Sequence, residues 1–230
     1  MNVVIILAVH SSSPHLGVAL TRDEEILVEQ ILPPGREHLE NIANLIADVM
    51  KRGHLPLGAV DGLSVAIGPG SFSGIRIGMA AAKGIALALG KPVVGVSSLE
   101  VFAWQALKAG ETGTAVIDAR REEVYVATYQ RSPGTLISLD HPSLIRAERF
   151  GAYARRFPQP LVLAGDPVVD RLAATSAPIA RSMPLVPSPA ACAARAGAHF
   201  AKAAGKSIHA LLPMYIRRSD AEEKRPASAS

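Results

Sequence analysis

Two segments of this chain follow one plan, and that repetition limits the folds open to it more than any other feature. Residues 3–9 read as an apolar strand, HSSSPH as a polar turn, and LGVALTR as the returning strand of a hairpin. Later, GTAVIDARREEVYVATYQR places a strand over Thr114 to Ile117, a polar turn over Asp118 to Glu122, and an alternating strand over Val124 to Tyr129. Two hairpins of matching order point to a duplicated unit. After the first come EILVEQ, a helix from about Arg36 to Arg52, a strand at Leu63, a small-residue helix, a strand over Pro92 to Val96, and a helix starting near Ser97–Ser98 that contains Trp104. After the second come a short strand around Leu136, a helix near Ala147 to Arg156, a strand over Leu161 to Ala164, a turn at Gly165–Asp166, and an alanine-rich helix over Ala190 to Ala204. This alternation predicts an α/β protein with sheets covered by helices. KAGETG, Lys108 to Gly113, reads as a linker, so residues 1–109 are expected to form one lobe and 110–212 another. Residues 213–230 are expected to be a basic tail, largely disordered by their small and charged composition.

The most specific stretch is LSVAIGPGSFSGIRIGMAAAKGIALAL, where Leu63 to Ile67 read as a buried strand broken by Gly68, Pro69 and Gly70. Ser71 or Ser73 can cap the helix that follows. Outward N–H groups at a glycine-rich helix start suit an anion, which makes Gly68, Gly70, Ser71 and Ser73 a candidate anion-binding loop. A tight structural turn is the competing reading. Ile75 and Arg76 follow Gly74, so the Lys-Ser/Thr ending of a Walker loop is absent, as is the G-x-G-x-x-G spacing of a dinucleotide fold. On the helix itself, Gly74, Gly78, Ala82 and Ala86 recur every four residues and leave one face almost without side chains, with Ile75, Met79 and Ile85 beside it. Such a face either packs closely on the chain's own sheet or meets another subunit.

Composition narrows the function classes. A chain of 230 residues that is 49% hydrophobic can bury one large core or two modest ones. No apolar stretch is expected to reach the roughly 18 to 20 residues of a membrane helix. MNVVIILAV reads as a first strand and not as a signal peptide, so the expected location is the cytoplasm. The single cysteine, Cys192, excludes an internal disulfide and a cysteine-based zinc site, and its alanine-rich surroundings predict a buried apolar role. The net charge of +4 is carried by the second half, where residues 111–230 hold 16 basic and 11 acidic side chains. Arg120–Arg121, Arg146, Arg149, Arg155–Arg156 and Arg217–Arg218 could touch phosphates or be solvated helix faces. With 4% aromatic residues and no RNP-like or helix-turn-helix pattern, sequence-specific nucleic-acid binding by the chain alone is not expected.

ILAVHSSSPHLGVAL, the helix beginning EHLENI, the run AIGPGSFSGIRIGMAAAKGIALALGKPVVGVSSLE, IDARREEVYVATY and the late PMYIRR together resemble the TsaB (YeaZ) family, less closely beyond Tyr129. The resemblance implies the duplicated fold of sugar kinases, Hsp70 and actin (the ASKHA, RNase H-like fold). It further implies a non-catalytic subunit in bacterial synthesis of N6-threonylcarbamoyladenosine (t6A), the modified adenosine beside the tRNA anticodon. The implied partners are the transferase TsaD as a heterodimer, the ATPase TsaE on that pair, a second copy of the chain as a homodimer, and tRNA indirectly through the complex. The contact surface it implies is the face of Gly74, Ile75, Gly78, Met79, Ala82 and Ala86, with His38 and Ile42 of the preceding helix. No catalytic residue and no cofactor is expected.

Departures from the family's catalytic relatives support that reading. TsaD resembles the chain in its first domain and adds a metal-binding His pair on one helix. Here His38 is followed by Asn41 and Ile42 at the three- and four-residue positions, and His15, His54, His141, His199 and His209 have no ligand spacing, so no metal is expected. His10 stands where relatives usually carry an Asp near the metal and phosphates, and an imidazole does not replace a hard oxygen ligand for magnesium. Asp118 keeps the matching place in the second hairpin. No H-E-x-x-H helix of a metalloprotease is present. Two rival readings are a stand-alone ATP-binding kinase or ATPase of the same fold, and a basic tRNA-binding module.

Overall fold

The computed structural model describes residues 3–35, 37–176, 178–197, 200 and 207–217. Ile5–His10 (β1) and Leu16–Arg22 (β2) form an antiparallel hairpin, and Glu25–Leu32 (β3) adds to the far edge of β2. On the other side of β1, Gly62–Ala66 (β4) and Val93–Val96 (β5) pair in parallel, which gives the order β3-β2-β1-β4-β5. The second half holds Thr112–Asp118 (β6), Glu123–Ser132 (β7), Thr135–Ser138 (β8), Ser143–Arg146 (β9), Leu161–Gly165 (β10) and Ile179–Pro184 (β11). Its order is β8-β7-β6-β10-β11, with the same directions strand for strand, and β9 pairs with β7 besides. The matching hairpins therefore belong to two sheets of one topology.

His38–Arg52 (α1) carries Ile42, Leu45, Ile46, Val49 and Met50 at helical spacing, and this stripe is buried. Phe72–Leu89 (α2) starts at Ser71, whose Oγ accepts from the Gly74 N–H at 3.2 Å, and stops at Gly90, which takes the left-handed conformation with φ 64°. Both helices cover the outer face of the first sheet over Leu7, Val9, Leu63 and Val65. Ser98–Ala106 (α3) opens on a capping box between Ser97 and Glu100. Phe150–Ala154 (α4) and Val168–Thr175 (α5) cover the outer face of the second sheet through Phe150, Tyr153, Val169 and Leu172.

Between the sheets, α3 and Pro189–Gly197 (α6) lie against each other as a middle layer. The strand period of two divides each sheet between its layers. Leu7 and Val9 face α1 and α2, whereas Ile6 and Ala8 face Ala190 and Ala193 of α6. In the second sheet Val116 and Val126 face outward to α4 and α5, and Ala115, Ile117 and Ala127 face α3. Arg195 on α6, only 4% exposed, pairs with Glu100 on α3 at 3.5 Å, and the Trp104 ring lies under the guanidinium groups of Arg131 and Arg195. A buried charge is tolerable only when paired in this way.

Several expectations need correction. The sheets part between β5 and β6, but α6, from the second half of the chain, covers the first sheet and α3 covers the second, so the helices do not respect a boundary at 109–110. β9, α5 and β11 lie outside the elements that the sequence predicts; the edge strand β11, IARSMP, carries Arg181 and Ser182 and has no apolar run to betray it. The helix expected over Ala147 to Arg156 is a 3-10 turn, Ala147–Arg149, followed by α4. The alanine-rich helix is described to Gly197, and its expected continuation over 198–199 and 201–204 lies outside the described residues. With 18 residues and a mean hydropathy of 1.4, α2 does reach the length and apolarity of a membrane span, against expectation. One side of it packs on the chain's own sheet. Residues 213–217, assigned above to a disordered tail, make defined contacts with both lobes, and 218–230 lie outside the described residues.

Candidate functional site

The two hairpin tips face a cleft of about 1010 Å³ between the lobes. The first lobe lines it with His10, Ser12 and His38 and with Gly70 and Ser71 at the start of α2; the second supplies Asp118, Arg120 and Asp166. His10 ends β1 and is 1% exposed. Its Nε2 shares a 3.3 Å hydrogen bond with Ser12 Oγ, which lies 2.7 Å from Ser98 Oγ at the start of α3. Burial, with smaller contributions from His15 and His38, pushes the His10 pKa down to about 3. The imidazole is therefore neutral and a weak base, and its contact with Ser12 ties the hairpin tip to the start of α3.

The carboxylates across the cleft are also committed. Asp118 Oδ1 accepts from the Arg120 N–H at 2.8 Å, and Asp166 Oδ2 accepts from the Asp118 N–H at 2.9 Å. Burial raises the pKa of Asp166. Both side chains brace the tip of the second hairpin, where Arg120, Arg121 and Glu122 all have positive φ, of 62°, 55° and 57°. Among the described residues no group of three His, Cys, Asp or Glu could hold a metal. For a magnesium–nucleotide, His10 offers no hard oxygen ligand, while Asp118 Oδ1 and Asp166 Oδ2 each accept one main-chain amide.

The predicted anion-binding loop is filled by the chain itself. A Cβ on Gly70 would lie 2.1 Å from the Ser12 carbonyl oxygen, and one on Gly68 2.8 Å from that of Met214. The Ser71 N–H donates to Ser12 O at 2.7 Å, Ser71 Oγ caps the helix, and Ser73 is exposed. The glycines at 68 and 70 thus serve close chain-to-chain approach, the tight-turn reading.

The predicted contact face is corrected more strongly. Gly74, Ile75, Gly78, Met79, Ala82 and Ala86 are all buried within the chain. A Cβ on Gly74 would meet Ser11 O at 2.0 Å and one on Gly78 would meet Ser11 Oγ at 2.1 Å. The small residues let α2 close on β1 and the hairpin tip, where Ser11 Oγ donates to Gly74 O at 2.8 Å. Ile42 is buried in the same core, and His38 donates from Nε2 to Pro14 O at 3.3 Å beside the cleft. None of these side chains except His38 reaches solvent. Sequence reasoning missed the opposite face. There Ala80, Gly84, Leu87 and Ala88 of α2 lie outward, Leu87 being 73% exposed, with Ile77 and Ala81 half-buried at its edge against the core, and α1 beside it presents Leu39 at 71%. The apolar residues of α2 run all round the helix, and only the sheet's position decides which side is left over.

The basic residues do not form one free patch. Arg156 pairs with Asp140 at 3.5 Å, Arg171 with Glu122 at 3.0 Å, Arg120 lies 3.7 Å from Asp118, and Arg217 is bound to Glu123. Arg146, Arg149 and Arg155 are exposed, and Arg218 lies outside the described residues. Cys192 is fully buried and its thiol is pushed up to about 12 by desolvation, in line with a packing role.

Duplicated sheets of order 3-2-1-4-5 around a cleft define a protein of the actin, Hsp70 and sugar-kinase fold. The activator of the 2-hydroxyisocaproyl-CoA dehydratase from Clostridium difficile shares it at 9% identity, with a TM-score of 0.51 over 87% of this chain and 96% of that one. Residues 26–224 match the family described as TsaD, tRNA N6-adenosine threonylcarbamoyltransferase, and the chain belongs to that family. Within it the chain is a member of the TsaB (YeaZ) group. YeaZ from Pseudomonas aeruginosa is 26% identical with a TM-score of 0.79, covering 92% of this chain and 99% of that one. The tRNA threonylcarbamoyladenosine biosynthesis protein TsaB of Escherichia coli K12 is 40% identical over 130 residues, 55% of each chain. Its namesake in Bacillus subtilis 168 is 33% identical over 131 residues, 57% of each. The matched stretch thus spans about half the length of these curated relatives.

Proposed function

We propose that this chain is a non-catalytic subunit of t6A synthesis that works by pairing with the threonylcarbamoyltransferase TsaD, with the ATPase TsaE joining the pair and tRNA engaged through the complex in the cytoplasm. The observation that carries the reading is the outward face of α2, with Ala80, Gly84, Leu87 and Ala88, beside Leu39 of α1. Small residues let a second helix approach closely, and the large exposed apolar groups at the ends gain burial when it does. Because the transferase belongs to the same family, an equivalent helix pair on it is a natural partner. The same face then serves a homodimer, and the two pairings exclude each other. The cleft supports the non-catalytic part, since His10 is a weak base and Asp118 and Asp166 are engaged as braces.

Light-scattering chromatography of the chain with TsaD from the same organism tests this. A one-to-one complex is expected, lost in Leu87→Arg and Ala80→Arg while both variants keep the wild-type urea midpoint. If the complex survives both substitutions, the face is wrong. If the chain forms no complex, and instead turns over ATP or binds tRNA unaided, the stand-alone enzyme or the RNA-binding module replaces this reading.

A further inference from the structure

We infer that residues 211–217 are a latch across the mouth of the cleft, fastened firmly to the first lobe and releasably to the second through Arg217. Lys83 on α2 donates to Leu211 O at 2.6 Å, and the Met214 N–H donates to Ile67 O at 2.8 Å. Tyr215 then stacks on Phe72 with ring centroids 4.7 Å apart, and its Oη accepts from Arg76 Nε at 2.9 Å. These contacts tie the segment to the loop after β4 and to α2. One residue later the chain has crossed over. Ile216 packs against the second-lobe core that contains Leu99 and Phe102, and Arg217 donates from Nη1 to Ala119 O at 2.6 Å and pairs with Glu123.

The two ends differ in strength. The first-lobe end rests on one main-chain bond, a lysine side chain, an aromatic stack and a tyrosine hydroxyl, whereas the second-lobe end rests on one guanidinium and one aliphatic side chain. Parting of the lobes therefore breaks the Arg217 end first. That guanidinium is 17% exposed and its partner Glu123 27%, so the pair is shielded enough to hold better than an open surface pair. Arg217 also lines the cleft and grips the carbonyl just ahead of three consecutive left-handed residues. It thus sets both the lobe separation and the conformation of the Arg120–Glu122 tip, which has its own cost in a left-handed backbone.

Hydrogen–deuterium exchange of the full chain, with and without Arg217→Ala, tests the latch. Amides at the second tip, 118–123, are expected to exchange about tenfold faster or more once the charged hydrogen bonds are lost. The deciding readout is on the other wall: residues 11–15 and 70–72, which Arg217 does not touch, should speed up as well, because the cleft opens. Arg217→Lys, which keeps the charge but not the double grip, should fall between. Acceleration confined to 118–123 would mean a local brace, and unchanged exchange on both walls would refute the latch outright. Should Arg217→Ala fail to fold, Glu123→Gln gives the same comparison with the segment in place; the latch stands if both walls accelerate and falls if they do not.

Discussion

Three glycines of α2 make the same substitution mean three different things. Replacing glycine by alanine in an exposed helix interior stabilises by about 1 kcal/mol, because the unfolded chain loses freedom. Gly84 is such a site: an added Cβ meets nothing within 4 Å, so Gly84→Ala should gain about 0.5 to 1 kcal/mol. At Gly78 the Cβ would sit 2.1 Å from Ser11 Oγ, an atom that can turn away. Turning costs its bond to Gly74 O and strands a fully buried hydroxyl, about 2 to 3 kcal/mol together, for a net loss of about 1 to 2. At Gly74 the obstacle is the Ser11 carbonyl at 2.0 Å, with its carbon at 3.1 Å, so helix and strand must separate and the loss should be about 3 kcal/mol or more. In urea titrations, with a slope of about 3 kcal/mol per molar, the midpoints should move by roughly +0.3, −0.5 and −1 M for Gly84, Gly78 and Gly74. The ordering is the test. Equal shifts at Gly74 and Gly84, or a Gly78→Leu chain that folds normally and loses only its partner, would put the buried stripe back on the surface and refute the packing derived above.

His10 makes stability depend on pH: its folded pKa of about 3 lies below the ordinary 6.5, so the stabilising contribution is complete above pH 6.5 and is lost as pH falls toward 3. The loss should be about 2 kcal/mol at pH 5, measured by urea unfolding, and His10→Gln should flatten that limb; a wild-type limb that Gln leaves intact would assign it elsewhere. Glu111 works lower on the scale. Two hydrogen bonds of 2.7 Å from Arg181 hold its pKa at about 2, down from 4.5, so its contribution is present above 4.5 and fades as pH falls to 2. Glu111→Gln should lower the midpoint at pH 6 and bring the curves together near pH 2; a constant gap would refute the pairing's role.

Much of this was legible in the residues, though unevenly. The hairpins, α1, the capped start of α2 and the duplicated order follow from period, turn residues and caps, all of which act over a few neighbouring positions. β11 was not legible, because an edge strand with Arg181 and Ser182 has little apolar signal, and α5 was not because it is only eight residues long. The face that the spacing of α2 marks for contact is buried in the chain's own core. The helix's glycine and alanine residues occur on both sides, so periodicity identifies a close-packing helix without saying what it packs against.

Residue pattern alone sets local geometry and chemistry: which segments are strands, where helices begin, that His10 cannot serve as an oxygen ligand, and that α2 must be approached closely. Which surfaces remain is settled by the packed fold. It closed the loop glycines on Ser12 and Met214, turned Asp118 and Asp166 into braces, placed α6 on the opposite lobe's sheet, and brought Arg217 to a hairpin 94 residues earlier in the chain. The reason is one of range. Propensity and capping are settled among neighbours in sequence, whereas burial, desolvation and contact across a cleft depend on residues that only the folded chain makes neighbours.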